Sequence, residues 1–118
     1  MNDISIYFQA VNDTETWQGQ QLGIYINKHL TDFPELEKNS CALFYVPEFR
    51  GNGAENKSSA STFRQAFYSL HHEQDWKSPI YDLGDILPGK TLEDIENNFR
   101  PLTYWESVIL VILTNTLF

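Results

Sequence analysis

The run Cys41-Ala-Leu-Phe-Tyr-Val-Pro47 constrains this chain more than any other stretch. Ala42 to Val46 are all apolar or aromatic, with no polar residue between them. A strand with one wet face alternates. A strand covered on both faces does not, and that is the mark of a parallel sheet flanked by helices. Pro47 has no N–H for a ladder and closes the strand. A loop containing Gly51 and Gly53 follows, then a helical pattern, then a short strand at Ile80–Leu83. The middle of the chain therefore reads as a βαβ unit.

The remaining elements extend that unit. Phe63, Ala66, Phe67 and Leu70 stand at i, i+3, i+4 and i+7 after a capping Ser61, which predicts a helix over 62–72 with Arg64 and Gln65 on its outer side. Thr91-Leu-Glu-Asp94 resembles a capping box. It opens a second helix, 91–100, whose apolar face is Leu92, Ile95, Phe99 and Leu102, and Pro101 is expected to bend or stop it. Val108–Leu113 is the strongest strand by its β-branched content. The predicted class is α/β: a three-layer α/β/α arrangement with a short, mostly parallel sheet, built as βαβαβ over 41–118. Residues 1–40 read as an N-terminal extension laid on that core, with a strand or extended arm at Ile4–Gln9 and a weak strand at Gly23–Ile26.

A length of 118 residues suits one domain, and a 42% hydrophobic content can fill its core. The formal charge of -8, without a basic cluster, argues against nucleic acid and against anionic membrane surfaces. The Met1-Asn-Asp-Ile-Ser start has neither the basic nor the apolar region of a signal peptide. The apolar run at Val108–Leu113 is far short of the about 20 residues of a membrane span. A single cysteine, Cys41, excludes an internal disulfide and reads as a small buried side chain. The expected setting is cytoplasmic.

Candidate chemistry is sparse. His71 and His72 project about 100° apart on a helix and do not converge on one metal; they read as a solvated helix end. Asp82 and Asp85 at a strand end could hold a cation or act as acid and base. The plainer reading is that one caps the loop backbone and the other faces water. The loop Gly51-Asn-Gly-Ala-Glu-Asn56 lacks the glycine spacing and the Gly-Lys step of a phosphate loop, and Glu55 would repel phosphate.

Ala42-Leu-Phe-Tyr-Val-Pro-Glu-Phe-Arg-Gly51 resembles the first core strand and loop of the ureohydrolases (arginase, agmatinase, formimidoylglutamase). There an apolar strand runs into Gly-Val-Pro, an acidic residue and a glycine. Phe63-Arg-Gln-Ala-Phe-Tyr-Ser-Leu70 is similar to the first helix of that family. Asp82-Leu-Gly-Asp-Ile86 is similar to the turn after its second strand, and Thr91-Leu-Glu-Asp-Ile-Glu96 to the next helix start. The style is nearest to the formimidoylglutamase-like branch. The matching positions are Pro47, Glu48, Arg50, Gly51, Asp82, Gly84 and Asp85. The resemblance implies, for a complete member, hydrolysis of a guanidino or formimino C–N bond by manganese-bound hydroxide.

This chain departs from the family where the metal would bind. Tyr45 stands where the strand usually ends in glycine. Thr114 and Asn115 fall at the glycines of the Gly-Gly-Xaa-His ligand motif, and Leu117 falls at its histidine. The Asp-Ala-His-Xaa-Asp and Asp-Xaa-Asp motifs do not occur. The expectation is therefore an N-terminal structural portion with no catalytic or metal-ligating residue and no cofactor of its own. Its partners would be a second copy or the catalytic C-terminal portion, met through Val108, Leu110 and Ile112. The alternatives are a free-standing α/β interaction or oligomerisation module and a small nucleotide-binding α/β domain.

Overall fold

The computed structural model describes residues 4–12, 16–46, 62–73, 76–87 and 91–114. In chain order these form a 3-10 turn at Ile4–Tyr7, β1 (Phe8–Gln9), α1 (Leu22–Tyr25), β2 (Asn27–Lys28) and β3 (Cys41–Val46). Helix α2 covers 62–68. Then come β4 (Ile80–Ile86), α3 (Leu92–Trp105) and β5 (Ile109–Thr114). The fold is mixed α/β around a mostly parallel five-stranded sheet.

β3 is the middle of that sheet, with β4 and β5 parallel to it on either side. Ala42, Leu43, Phe44 and Tyr45 are all buried, as an unbroken apolar run requires. Strand alternation sorts the core into two clusters. Ala42, Phe44, Tyr81, Leu83 and Val108 pack with Ile95 and Phe99 of α3 and with Ile4 and Phe8 of the N-terminal segment. Leu43 packs with Tyr68 of α2 and Ile26, and Val111 and Leu113 join them.

The N-terminal residues close the outer edge of β4. β2 runs parallel to it at Tyr81 and Asp82, and β1 runs antiparallel at Asp85 and Ile86. Between these two short ladders the His29 ring takes over: its Nδ1–H donates to the Leu83 carbonyl at 2.8 Å. The His29 N–H bonds Asp82 O, and its carbonyl accepts from Val11. An imidazole thus supplies a rung that no strand residue reaches.

Six expectations change. The strand or arm at Ile4–Gln9 is a 3-10 turn over Ile4–Tyr7, with strand only at Phe8–Gln9. The helix expected over 62–72 ends at 68. The weak strand at Gly23–Ile26 is mostly the helical turn α1, closed by Ile26 N–H to Leu22 O at 3.0 Å; Gly23 sits there because the Trp17 indole lies where a Cβ would go. The second core strand does not turn at Gly84 but continues to Ile86. Helix α3 runs through Pro101 to Trp105. Thr91 caps its start by accepting from Asp94 N–H at 3.1 Å, and Ile95 and Phe99 seat it in the core, so losing the one N–H does not end it. Leu92, placed on the apolar face by periodicity, is 39% exposed. The loop around Gly51 and Gly53 lies outside the described residues.

Gly84 is the irregular point of β4. Between the pairs Leu43–Asp82 and Tyr45–Asp85, β3 has one residue, Phe44, and β4 has two, Leu83 and Gly84. That is a β-bulge, and Gly84 takes φ +101 within it. A Cβ at this position would strike the Gln9 carbonyl oxygen of β1. Gly84→Ala is therefore expected to lower stability by about 2–3 kcal/mol, measured by urea denaturation. A midpoint unchanged from wild type would contradict the bulge.

Candidate functional site

The bulge creates the most organised polar site in the described structure. Residues three apart on a regular strand face opposite sides. The extra residue at Gly84 restores the alternation, so Asp82 and Asp85 both face α2. Arg64 meets them there. Its Nε–H donates to Asp82 Oδ2 at 2.7 Å, Nη2 to Asp82 Oδ1 at 2.9 Å, and Nη1 to Asp85 Oδ1 at 2.6 Å. Tyr68, one helical turn after Arg64, donates its hydroxyl to Asp82 Oδ2. Gly84 N–H donates to Asp82 Oδ1 at 3.0 Å. Each Asp82 oxygen thus accepts two bonds, which fills a carboxylate's capacity. Asp82 is 0% exposed and Arg64 8%.

Periodicity put Arg64 on the outer side of α2. It faces inward with Tyr68, while Phe63 and Phe67 are half-buried and Ala66 and Leu70 are exposed. Nor does either aspartate stand free in water. Asp82 does bond its own loop-side backbone, at Gly84, as a capping residue would, but it also carries the ion pair. The signal missed in the sequence is Arg64 and Tyr68 at i and i+4, opposite an aspartate inside an apolar strand.

Charge within the site is uneven. One guanidinium faces two carboxylates. Burial pushes the Asp85 carboxyl above its ordinary value of 3.8, and Arg64 opposes that rise through its charge and its hydrogen bond. Burial works against the charged form of Arg64, but its bonds to Asp82 outweigh this and hold it protonated. The Tyr45 hydroxyl is raised by burial and then by the charge of Asp85. Chemically this is a bidentate clamp between helix and strand, with one proton-accepting end at Asp85.

The other candidates separate. Pro47, Glu48, Arg50 and Gly51 lie outside the described residues, as do Asn115 and Leu117. Gly84 and the two aspartates converge as above. Val108 is 3% exposed and belongs to the core. Leu110 is half-buried on the α3 side, and Ile112 is 37% exposed. His71 forms a bridge with Gln21, and His72 stacks on Tyr25 at 4.2 Å. No group of three metal-binding side chains occurs among the described residues, and none of the described helices is long and apolar enough to cross a membrane. Cys41 is half-buried rather than buried, in a groove of about 480 Å³ at the amino ends of β3 and β5. Desolvation raises its thiol pKa, which works against a thiolate nucleophile.

Comparison with known proteins adds no relative: no family model matches the chain, and no curated protein or solved structure is significantly similar to it.

The Asp85 shift fixes a sign. A carboxyl whose folded value is raised binds a proton more tightly in the folded state than in the unfolded one. Stability then falls as pH rises from the ordinary value through the folded one. Asp85→Asn keeps an oxygen for Arg64 and removes that titration. It is expected to flatten the stability–pH profile above pH 3.8 and to be at least as stable as wild type at pH 7. Denaturation midpoints across pH 4 to 8 check this. A variant whose profile keeps the wild-type slope would contradict it.

Proposed function

We propose that the chain is the N-terminal α/β portion of a ureohydrolase-like protein, a three-layer α/β/α unit, inactive alone, whose work is assembly through the outer edge of β5. The family part of this reading is supported by the placement of its motif segments. The Ala42–Val46 part falls on β3, the Phe63–Tyr68 part on α2 and Thr91–Glu96 at the start of α3; Asp82–Ile86, a turn in the resemblance, is strand here and lends no support. A complete member would bring manganese and its ligands from sequence that this chain lacks.

The observation that carries the assembly role is the difference between the two sheet edges. β4 is covered by β1, β2 and the His29 ring. β5 pairs with β3 on one side, and among the described residues no strand pairs with the other. Its sequence, ILVILT, carries no proline and no charged residue that would blunt an edge. Ile109 and Ile112 are exposed on it. Such an edge takes up another strand, from a second copy or from the catalytic portion of such a protein.

Light scattering at rising concentration is expected to show association of the chain. Ile112→Lys is expected to weaken that association at least tenfold. A wild-type chain that stays monomeric at high concentration would contradict the reading, and so would an Ile112→Lys chain that associates as wild type does.

A further inference from the structure

We infer that the occupant of the β5 edge is the β5 strand of a second copy, paired antiparallel about a twofold axis through Val111. This inference rests on the edge-assembly reading above and adds the partner and the register.

The ladder to β3 decides which backbone groups are available. Ile109 N–H donates to Ser40 O across that ladder. Backbone direction alternates along a strand, so Ile109, Val111 and Leu113 point their N–H and C=O toward β3. Leu110 and Ile112 point theirs outward. An antiparallel mate must match outward residues with outward residues. In a twofold arrangement, Leu110 opposite Ile112 of the second copy satisfies this, and the reciprocal pair forms at the same time. Val111 then faces its own mate in a non-hydrogen-bonded pair.

Side chains choose between this register and the next ones allowed. With the axis at Val111, exposed Ile112 lies over the half-buried Leu110 of the mate. Ile109, 65% exposed, lies across from Leu113. Moving the axis to Ile112 would place Leu110 opposite Thr114 and carry Ile109 beyond the end of the opposing strand, and moving it to Leu110 would place Ile109 opposite Val111 and carry Ile112 past that strand's start. The first register covers both exposed isoleucines with apolar strand partners, and each of the others covers one.

Charge permits a second copy along this strip. The chain carries -8 overall, which opposes self-contact over most surfaces. Ile109–Thr114 has no charged residue, so two copies meet there without like charges directly opposed.

Cysteine cross-linking tests the register. In a Cys41→Ser background, Val111→Cys is expected to form a disulfide-linked dimer under mild oxidation, because directly opposed residues lie within disulfide reach. Ile109→Cys, although more exposed, is expected to stay unlinked. Its mate would sit about 14 Å away along the strand, and disulfides do not bridge Cα atoms more than about 7 Å apart. A mixture of Leu110→Cys and Ile112→Cys chains is expected to link across the two variants, which keeps the test open if Val111→Cys fails to fold. Association by light scattering with linkage at 109, or with linkage neither at 111 nor between 110 and 112, would overturn this pairing and leave edge assembly standing. A chain monomeric at every concentration would overturn both.

Discussion

The fold turns on one buried ion pair. Arg64 and Asp82 tie α2 to β4, and all four acceptor positions of the carboxylate are used. The pair decides how α2 is rotated. Within α2 the apolar positions Phe63, Ala66 and Phe67 would set the helix one way. A charged Asp82 left buried and unpaired would cost about 3–5 kcal/mol. Avoiding that cost sets the rotation: Arg64 and Tyr68 turn inward, Phe63 and Phe67 stay half-buried and Ala66 is exposed. Such a pair stabilises little compared with well-packed apolar residues. Its effect is to select one helix setting.

The same pair depends on a backbone irregularity. Without the extra residue at Gly84, Asp85 would face α3 and Arg64 would lose its third contact. The bulge in turn fits only because β1 lies close against Gly84, so the N-terminal segment and the ion pair brace β4 from its edge and its face. β4 is thereby closed to further pairing. β5, at the far side of β3, has no comparable cover among the described residues. Among the described residues one sheet edge is covered and the other is not, and the proposed assembly role grows from that contrast.

The core was legible in the sequence because burial on both faces leaves a compositional trace. The apolar run of β3, the β-branched run of β5 and the order strand, helix, strand, helix, strand were all readable, and the sheet is mostly parallel as that order implies. The polar site was not. Apolar periodicity treats arginine as an outward residue, so it could not see that Arg64 faces a buried carboxylate. The glycine of Asp82-Leu-Gly-Asp-Ile86 signals a turn or a bulge equally well, and only the opposing strands β1 and β3 choose between them. The short edge strands β1 and β2 have two residues each, too few for any alternation to show. His29 left no pattern at all, because its ring serves a carbonyl far away in sequence.

The most direct measurement of the ion pair's role is a mutant cycle on Arg64 and Asp82, read by urea denaturation. Arg64→Met alone leaves Asp82 buried without its cation and should lower stability by about 3–5 kcal/mol. Adding Asp82→Asn removes the stranded charge, so the double variant should be more stable than Arg64→Met alone. A double variant that is less stable, by the sum of the two single effects, would show that the pair does not act as a unit and would contradict this account of the fold.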